Sequence, residues 1–160
     1  QAHGTTGKDD AQRGLQTQTL LVVDLGDSRR FALPTSMVAR LEKVPTTSIE
    51  YANGRQVIQY RGDILPIIKL SEVFGTPGQG VSNAAELQIV VYAEQDHHCG
   101  FVVNRILDIV ETELRLHTQN SANENLLGTT VIQQHVTDVL NLRNLARHES
   151  RKSLPAALNA

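Results

Sequence analysis

Val57-Ile58-Gln59-Tyr60-Arg61-Gly62-Asp63-Ile64-Leu65-Pro66-Ile67-Ile68-Lys69-Leu70 is the stretch on which the fold turns. Two apolar runs, Val57 to Tyr60 and Ile64 to Ile68, flank the tight turn Arg61-Gly62-Asp63, so the stretch reads as a β-hairpin. Gly62 serves the backbone, because a tight turn calls for positive φ. Pro66 donates no ladder hydrogen bond and reads as a limit on strand pairing at an edge. Just upstream, Asn53-Gly54 accepts the positive φ angles of a type I′ turn and marks a hairpin within Tyr51 to Val57.

Further out, the same style recurs. Leu20 to Leu25 is a short apolar run ended by the turn cluster Gly26-Asp27-Ser28. Arg29 to Leu33 returns, and Pro34 ends it. Val38 to Val44 is helix-compatible in part, since Val38, Arg40, Glu42 and Val44 share one strand face poorly. In the second half, Leu87 to Tyr92 and Gly100 to Val103 flank the polar Glu94 to His98. Ile106 to Val110, Thr129 to Gln133 and Val136 to Leu142 read as further strands, and Asn141 to Arg147 as a closing helix. Residues 1–17 are polar or small apart from Leu15 and read as a flexible linker. Residues 148–160 read as a tail. The body is residues 18–147, and a Gly/Pro-rich stretch divides it near 76–86.

The two halves resemble one another. Val57-Ile58-Gln59 recurs as Val131-Ile132-Gln133, Asp63-Ile64-Leu65 meets Asp138-Val139-Leu140, and Leu70 meets Leu145. Leu20 to Leu25 meets Leu87 to Tyr92. The offset is about 70 residues, longer than a solenoid repeat. Either apolar strands coincide by chance, or the chain builds two similar small β subdomains of barrel or sandwich type.

Composition narrows the function. The 160 residues are 40% hydrophobic, too apolar for a disordered chain. Fifteen Lys and Arg against 17 Asp and Glu give a net charge of -2, without the basic footprint of a nucleic-acid binder. Six Phe and Tyr together, and no Trp, offer few base-stacking platforms. A single cysteine excludes an intrachain disulfide framework and a multi-cysteine zinc site. No apolar run approaches the roughly 20 residues of a membrane helix, so direct membrane insertion is not expected. The start at Gln1 has neither a signal-peptide pattern nor an initiator methionine, and reads as an excised or processed chain.

Catalytic motifs are missing. Gly75 to Gly80 is glycine-rich but lacks the spacing that cradles a dinucleotide, and no Walker lysine or nucleophile elbow occurs. His97-His98-Cys99 holds soft ligands, yet adjacent strand side chains point to opposite faces. Two ligands do not make a zinc site, so the cluster reads as a polar hairpin tip leading into a buried cysteine. Asp108 and Glu111 read as the outward face of a half-buried strand. No cofactor, metal or catalytic residue is expected, and the alternative of a small hydrolase or metal-dependent enzyme lacks convergent groups. A binding module fits better.

These segments, in this order, resemble the CheW-like domain of bacterial chemotaxis. The carriers are Leu20 to Asp27, Phe31-Ala32-Leu33-Pro34 with Val38 to Leu41, and Val57 to Leu70. Gly100 to Val110, Leu127 to Gln133 and Val136 to Leu140 complete them. The most specific piece is the Arg-Gly-x-x-Leu-Pro-x-x-x-Leu string at Arg61 to Leu70. Lys69, where adaptors usually carry Asp, and the Gln59-Tyr60 and Lys69-Leu70-Ser71-Glu72 strings are more similar to the C-terminal regulatory domain of the histidine kinase CheA. The alternative is a stand-alone CheW-type adaptor. Asn104 and Asn141 depart from the family, which commonly has Asp there.

The resemblance implies an all-β fold of two five-stranded SH3-like barrels packed on a shared core, with short helices. It implies a non-catalytic domain that couples the kinase to a CheW-type adaptor and to the chemoreceptor cytoplasmic tip, beside other domains of the parent kinase. It also implies a cytoplasmic location at membrane-bound receptor arrays. Val38 and Arg61, with Gly62 beside them, match positions implicated in partner contact. Val38 reads equally as core packing, and Arg61 as a turn residue.

Overall fold

The computed structural model describes residues 17–75, 85–118 and 123–148. Most of the expected linker, the stretch 76–84 and the tail from 149 lie outside them. The described strands are β1 (Thr17–Asp24), β2 (Arg30–Pro34), β3 (Val38–Pro45), β4 (Glu50–Ala52), β5 (Arg55–Tyr60) and β6 (Asp63–Lys69). After the 76–84 stretch come β7 (Glu86–Glu94), β8 (His97–Val103), β9 (Arg105–Glu113), β10 (Leu126–Ile132) and β11 (His135–Leu140). A one-turn helix, Leu70–Val73, follows β6, and a helix over 142–148 follows β11. No described helix is long and apolar enough to cross a membrane.

The turns follow their chemistry. Asn53 and Gly54 both have positive φ (56° and 77°), as do Arg61 and Gly62 (54° and 79°), the signature of type I′ hairpins. The second-half turn Gln133-Gln134 adopts the same conformation (52° and 66°) without a glycine. The closing helix starts where expected: the Asn141 side chain accepts a hydrogen bond from the Asn144 backbone N–H at 3.1 Å, an N-cap at which Asn serves as well as the family's Asp. Asn104, the other departure, donates to Asp24 Oδ2 at 3.2 Å, where an aspartate would face another carboxylate.

Val38 to Val44 is a strand and not part of a helix. It lies at a sheet edge, where few side chains are buried, and a bulge between Val38 and Arg40 shifts its phase. Together these remove the alternation that marks a strand in sequence. Pro66 does not mark an edge either. β6 is an interior strand, paired with β5 on one side and, from Ile67 onward, with β8 on the other. Pro66 sits just before that second ladder begins.

Two sheets form, in the orders β10-β11-β2-β1-β9 and β3-β7-β8-β6-β5-β4. The first has the expected five strands; the second adds the three-residue β4 as a sixth. Each repeat supplies strands to both. β1 and β2 stand with β9, β10 and β11, while β7 and β8 stand with β3, β5 and β6. The chain position near 76–86 therefore separates repeats in sequence but not sheets in space. The cross-repeat pairings correspond: β1 with β9 and β7 with β3 are antiparallel, β2 with β11 and β8 with β6 parallel.

Burial explains the strand composition. Leu20, Val22, Ala32 and Val139 fill the first sheet's interior. Ile58, Leu65, Ile67, Ile89, Val91 and Val102 fill the second's. The alternate residues of the same strands (Leu21, Val23, Phe31, Leu33, Ile68, Val90, Tyr92, Phe101 and Val103) meet between the sheets, with Leu142, Leu145 and Ala146 of the closing helix. Strands buried on both faces read as unbroken apolar runs. Tyr92 and Phe101 pack edge to face there, with ring centroids 5.9 Å apart.

Gly100 tests this packing. A Cβ on it would lie 2.7 Å from Ile89 Cγ2 and 3.2 Å from Leu65 Cδ2, inside the second barrel. Gly100→Ala is therefore expected to destabilise the protein by about 1–3 kcal/mol, read as a lower urea midpoint. Gly54→Ala, at a turn open to solvent, is expected to keep the interior packing intact and cost only backbone strain.

Candidate interaction surface

Strand placement sets where the expected contact residues stand. Val38 opens β3, half-buried against the shared core and paired with Tyr92 of β7. Arg61 and Gly62 form the exposed tip of the β5–β6 hairpin. The Arg61 guanidinium lies over the Tyr60 ring, 5.6 Å from its centroid, a contact worth about 0.5–1 kcal/mol at an exposed site. Gly62, at φ 79°, does the backbone work expected of it, and open space surrounds its Cα.

Although β3 and β5 are not neighbours in the strand order, the sheet curls until they touch. The Tyr60 hydroxyl donates to Glu42 Oε2 at 3.3 Å, and Arg40 pairs with the same oxygen at 3.7 Å. A polar chain thus runs from Arg61 through Tyr60 and Glu42 to Arg40, two residues beyond Val38. Val38 and exposed Leu41 stand opposite Tyr92 and Val90, on the face toward the shared core, whereas Arg40 and Glu42 stand opposite Val91 and Ile89 on the other face, so the chain of contacts from Arg61 reaches β3 but not the face that Val38 occupies. The first sheet closes in a similar way: Gln133, at the β10–β11 turn, donates to Asp108 Oδ2 of β9 at 2.7 Å. That bond, ahead of one from the Ile109 backbone N–H, holds the Asp108 carboxyl below its ordinary pKa.

Sequence reading did not single out the exposed apolar residues. Val131 and Val136 are cross-strand partners beside the Gln133-Gln134 turn, 62% and 69% exposed. Ile109 on β9 and Ile64 on β6 are also mostly exposed. In the hairpin register Val131 and Val136 stand where Gln59 and Ile64 do, whereas the sequence repeat set Val131 against buried Val57, two positions off, and so gave no sign of this exposure. His97 and His98 are exposed and Cys99 is buried, as expected of a polar tip leading inward. Asp108 and Glu111 are both exposed, but they lie on opposite faces of β9 and not on one outward face: Asp108 stands opposite Val22 and Glu111 opposite Thr19. Among the described residues, no three His, Cys, Asp or Glu side chains gather to hold a metal ion.

A third polar arrangement lies on the shared core. The Tyr92 hydroxyl donates to Glu94 Oε1 at 2.5 Å. Arg143 of the closing helix engages both oxygens of that carboxylate, Nε to Oε1 at 3.1 Å and Nη2 to Oε2 at 2.6 Å. Such forked pairs are the stronger kind of ion pair. Burial first, and then the Glu94 carboxylate, push the Tyr92 phenol up to about 12. The Arg143 hydrogen bond first, and the Tyr92 hydroxyl second, hold Glu94 below its ordinary value of 4.5.

The pH consequence has a definite sign. A carboxyl depressed in the folded state stabilises the fold above its unfolded pKa, and loses that contribution as pH falls through the folded value. A phenol raised in the folded state stabilises below its ordinary value of 10.0 and loses its contribution as pH rises toward 12. Between 4.5 and 10.0 both contributions are present. Arg143→Gln is therefore expected to lower the urea midpoint at about pH 7, with the difference from the parent shrinking at pH well below 4.5.

The CheW-like domain model matches residues 19–150. The chain is 28% identical over 97 residues to chemotaxis protein CheA of Bacillus subtilis (strain 168). That match takes in 61% of this chain and 14% of that protein, so the chain spans a small part of its relative's length. The crystal structure of the scaffolding protein TtCheW from Thermoanaerobacter tengcongensis superposes with a TM-score of 0.65 at 16% identity, covering 79% of this chain and 86% of that one. At that identity the likeness is one of fold.

Proposed function

The chain belongs to the CheW-like domain family, and from that premise we propose that it is a non-catalytic coupling domain of chemotaxis signalling, the regulatory domain of a CheA-type histidine kinase. The observation that carries the finer reading is the 28% identity to a CheA over 97 residues. The Lys69-Leu70-Ser71-Glu72 string agrees with it. A stand-alone CheW-type adaptor is the second reading, favoured by the fold match that spans 86% of TtCheW. In either reading residues 18–147 are the working unit, and the remainder serves as linker and tail.

Function then lies in surfaces. The β3 edge offers Val38 and Leu41 as apolar contacts on the face toward the shared core and Arg40 as a charged one on the other face, with Arg61 at the nearby hairpin tip. The Glu42–Tyr60 bond ties the β5–β6 hairpin to β3. A rigid, pre-arranged surface binds without a large ordering cost. The partners are a CheW-type adaptor, the cytoplasmic tip of a chemoreceptor and other domains of the parent kinase, in the cytoplasm at membrane-bound arrays. A receptor state acts through such a domain only if it changes the affinity or geometry of these contacts.

Titration calorimetry with the adaptor encoded beside this gene tests the reading. Saturable binding at micromolar or tighter Kd is expected. Arg61→Glu, which keeps the turn conformation away from the core, is expected to weaken it by about tenfold or more with unchanged circular dichroism. Binding instead to a kinase lacking this domain, with none to the adaptor, would favour the stand-alone adaptor.

A further inference from the structure

We infer that Arg143 and Glu94 are positioning residues for the Val38 edge: the forked Arg143–Glu94 pair fixes Tyr92, and Tyr92 is the strand partner that sets how Val38 is presented. The importance of Val38 to a partner rests on the function proposed above; the positioning itself does not.

Three observations meet at Tyr92. Its ring is buried in the shared core, 1% exposed, against Phe101. Its hydroxyl is held by Glu94, which Arg143 grips through both oxygens. Its backbone is in register with Val38. The ladder is weak at that point. Val38 pairs with Tyr92, the bulge follows at once, and pairing resumes only at Arg40 with Val91. Val38 follows the short turn Thr35–Met37 and has a single register pair before the bulge. A pair isolated by a bulge draws little support from its own strand. Its order depends on the strand across from it.

The arrangement is also long-range. Arg143 lies 49 positions from Glu94, on a helix whose Leu142, Leu145 and Ala146 enter the same core cluster that Val38 borders. A helix needing only anchorage would have it from those three side chains. The carboxylate between helix and phenol ties the closing helix to the residue opposite Val38. The position of the closing helix thereby bears on the start of β3.

Amide hydrogen exchange on the full chain, with no partner present, tests this. Arg143 is 46% exposed in its side chain, so Arg143→Gln is expected to fold. Tyr92→Phe keeps the ring and deletes only the hydroxyl. In both variants amides of residues 38–41 are expected to speed up about tenfold more than those of the β4–β5 hairpin, 50–60, which report any general loss of stability. Arg143→Lys, which keeps the charge but not the fork, is expected to fall between. Faster exchange confined to 142–148 would overturn the inference and leave a simple helix clamp, and a rise at 38–41 no larger than that in the 50–60 hairpin would overturn it as general destabilisation. Since no partner takes part, failure here is separate from failure of the adaptor-binding reading.

Discussion

The structure depends on one constraint: its central strands carry apolar side chains on both faces. Leu20 and Val22 turn one way and Leu21 and Val23 the other, and all four are buried. A single sheet with one wet face would expose half of them. Two curled sheets, each lining its own interior and pressed together along their outer faces, cover both sets. Each large buried side chain contributes about 1.5–3 kcal/mol relative to exposure, so placing one face in water would cost more than a domain's usual net stability of about 5–15 kcal/mol.

Strand exchange between the repeats deepens that dependence. Each sheet takes the first two strands of one repeat and the last three principal strands of the other. The interior of either barrel therefore cannot close without residues far away in sequence. The shared core then fastens the two sheets, and the closing helix seals it. This has a bearing on signalling. A contact on β3 is made to a strand that leaves one sheet's chain partners and completes the other. Val38, at the start of that strand, borders the core shared between the barrels.

Some of this was legible in the sequence, for identifiable reasons. Asn53-Gly54 and Arg61-Gly62 announced their turns because positive φ is a local demand met by particular residues. The closing helix was read over Asn141 to Arg147, and its Asn141 cap is likewise a local interaction. Gln133-Gln134 did not, since neither residue favours that backbone; the Gln133–Asp108 bond belongs to tertiary structure. The internal repeat was visible as similar strands about 70 positions apart, but the exchange was not, because an apolar strand does not record which sheet it joins. β3 was obscured by its edge position and its bulge. Of the proposed interaction surface, Val38, Arg61 and Gly62 came from the resemblance. The Glu42–Tyr60 and Glu94–Arg143 contacts span 18 and 49 positions, beyond the reach of any local pattern.

The most direct test of this account is whether either repeat folds by itself. Residues 1–80 and 81–160 would be made as separate chains and their circular dichroism and amide spectra recorded, alone and mixed. The interleaved architecture predicts that neither half gives a cooperative unfolding transition alone. It also predicts that an equimolar mixture recovers native strand content, because each half lacks strands that both barrels need. A native-like, cooperatively unfolding half on its own would contradict it, for the barrels would then be consecutive units and the shared core a mere contact between them.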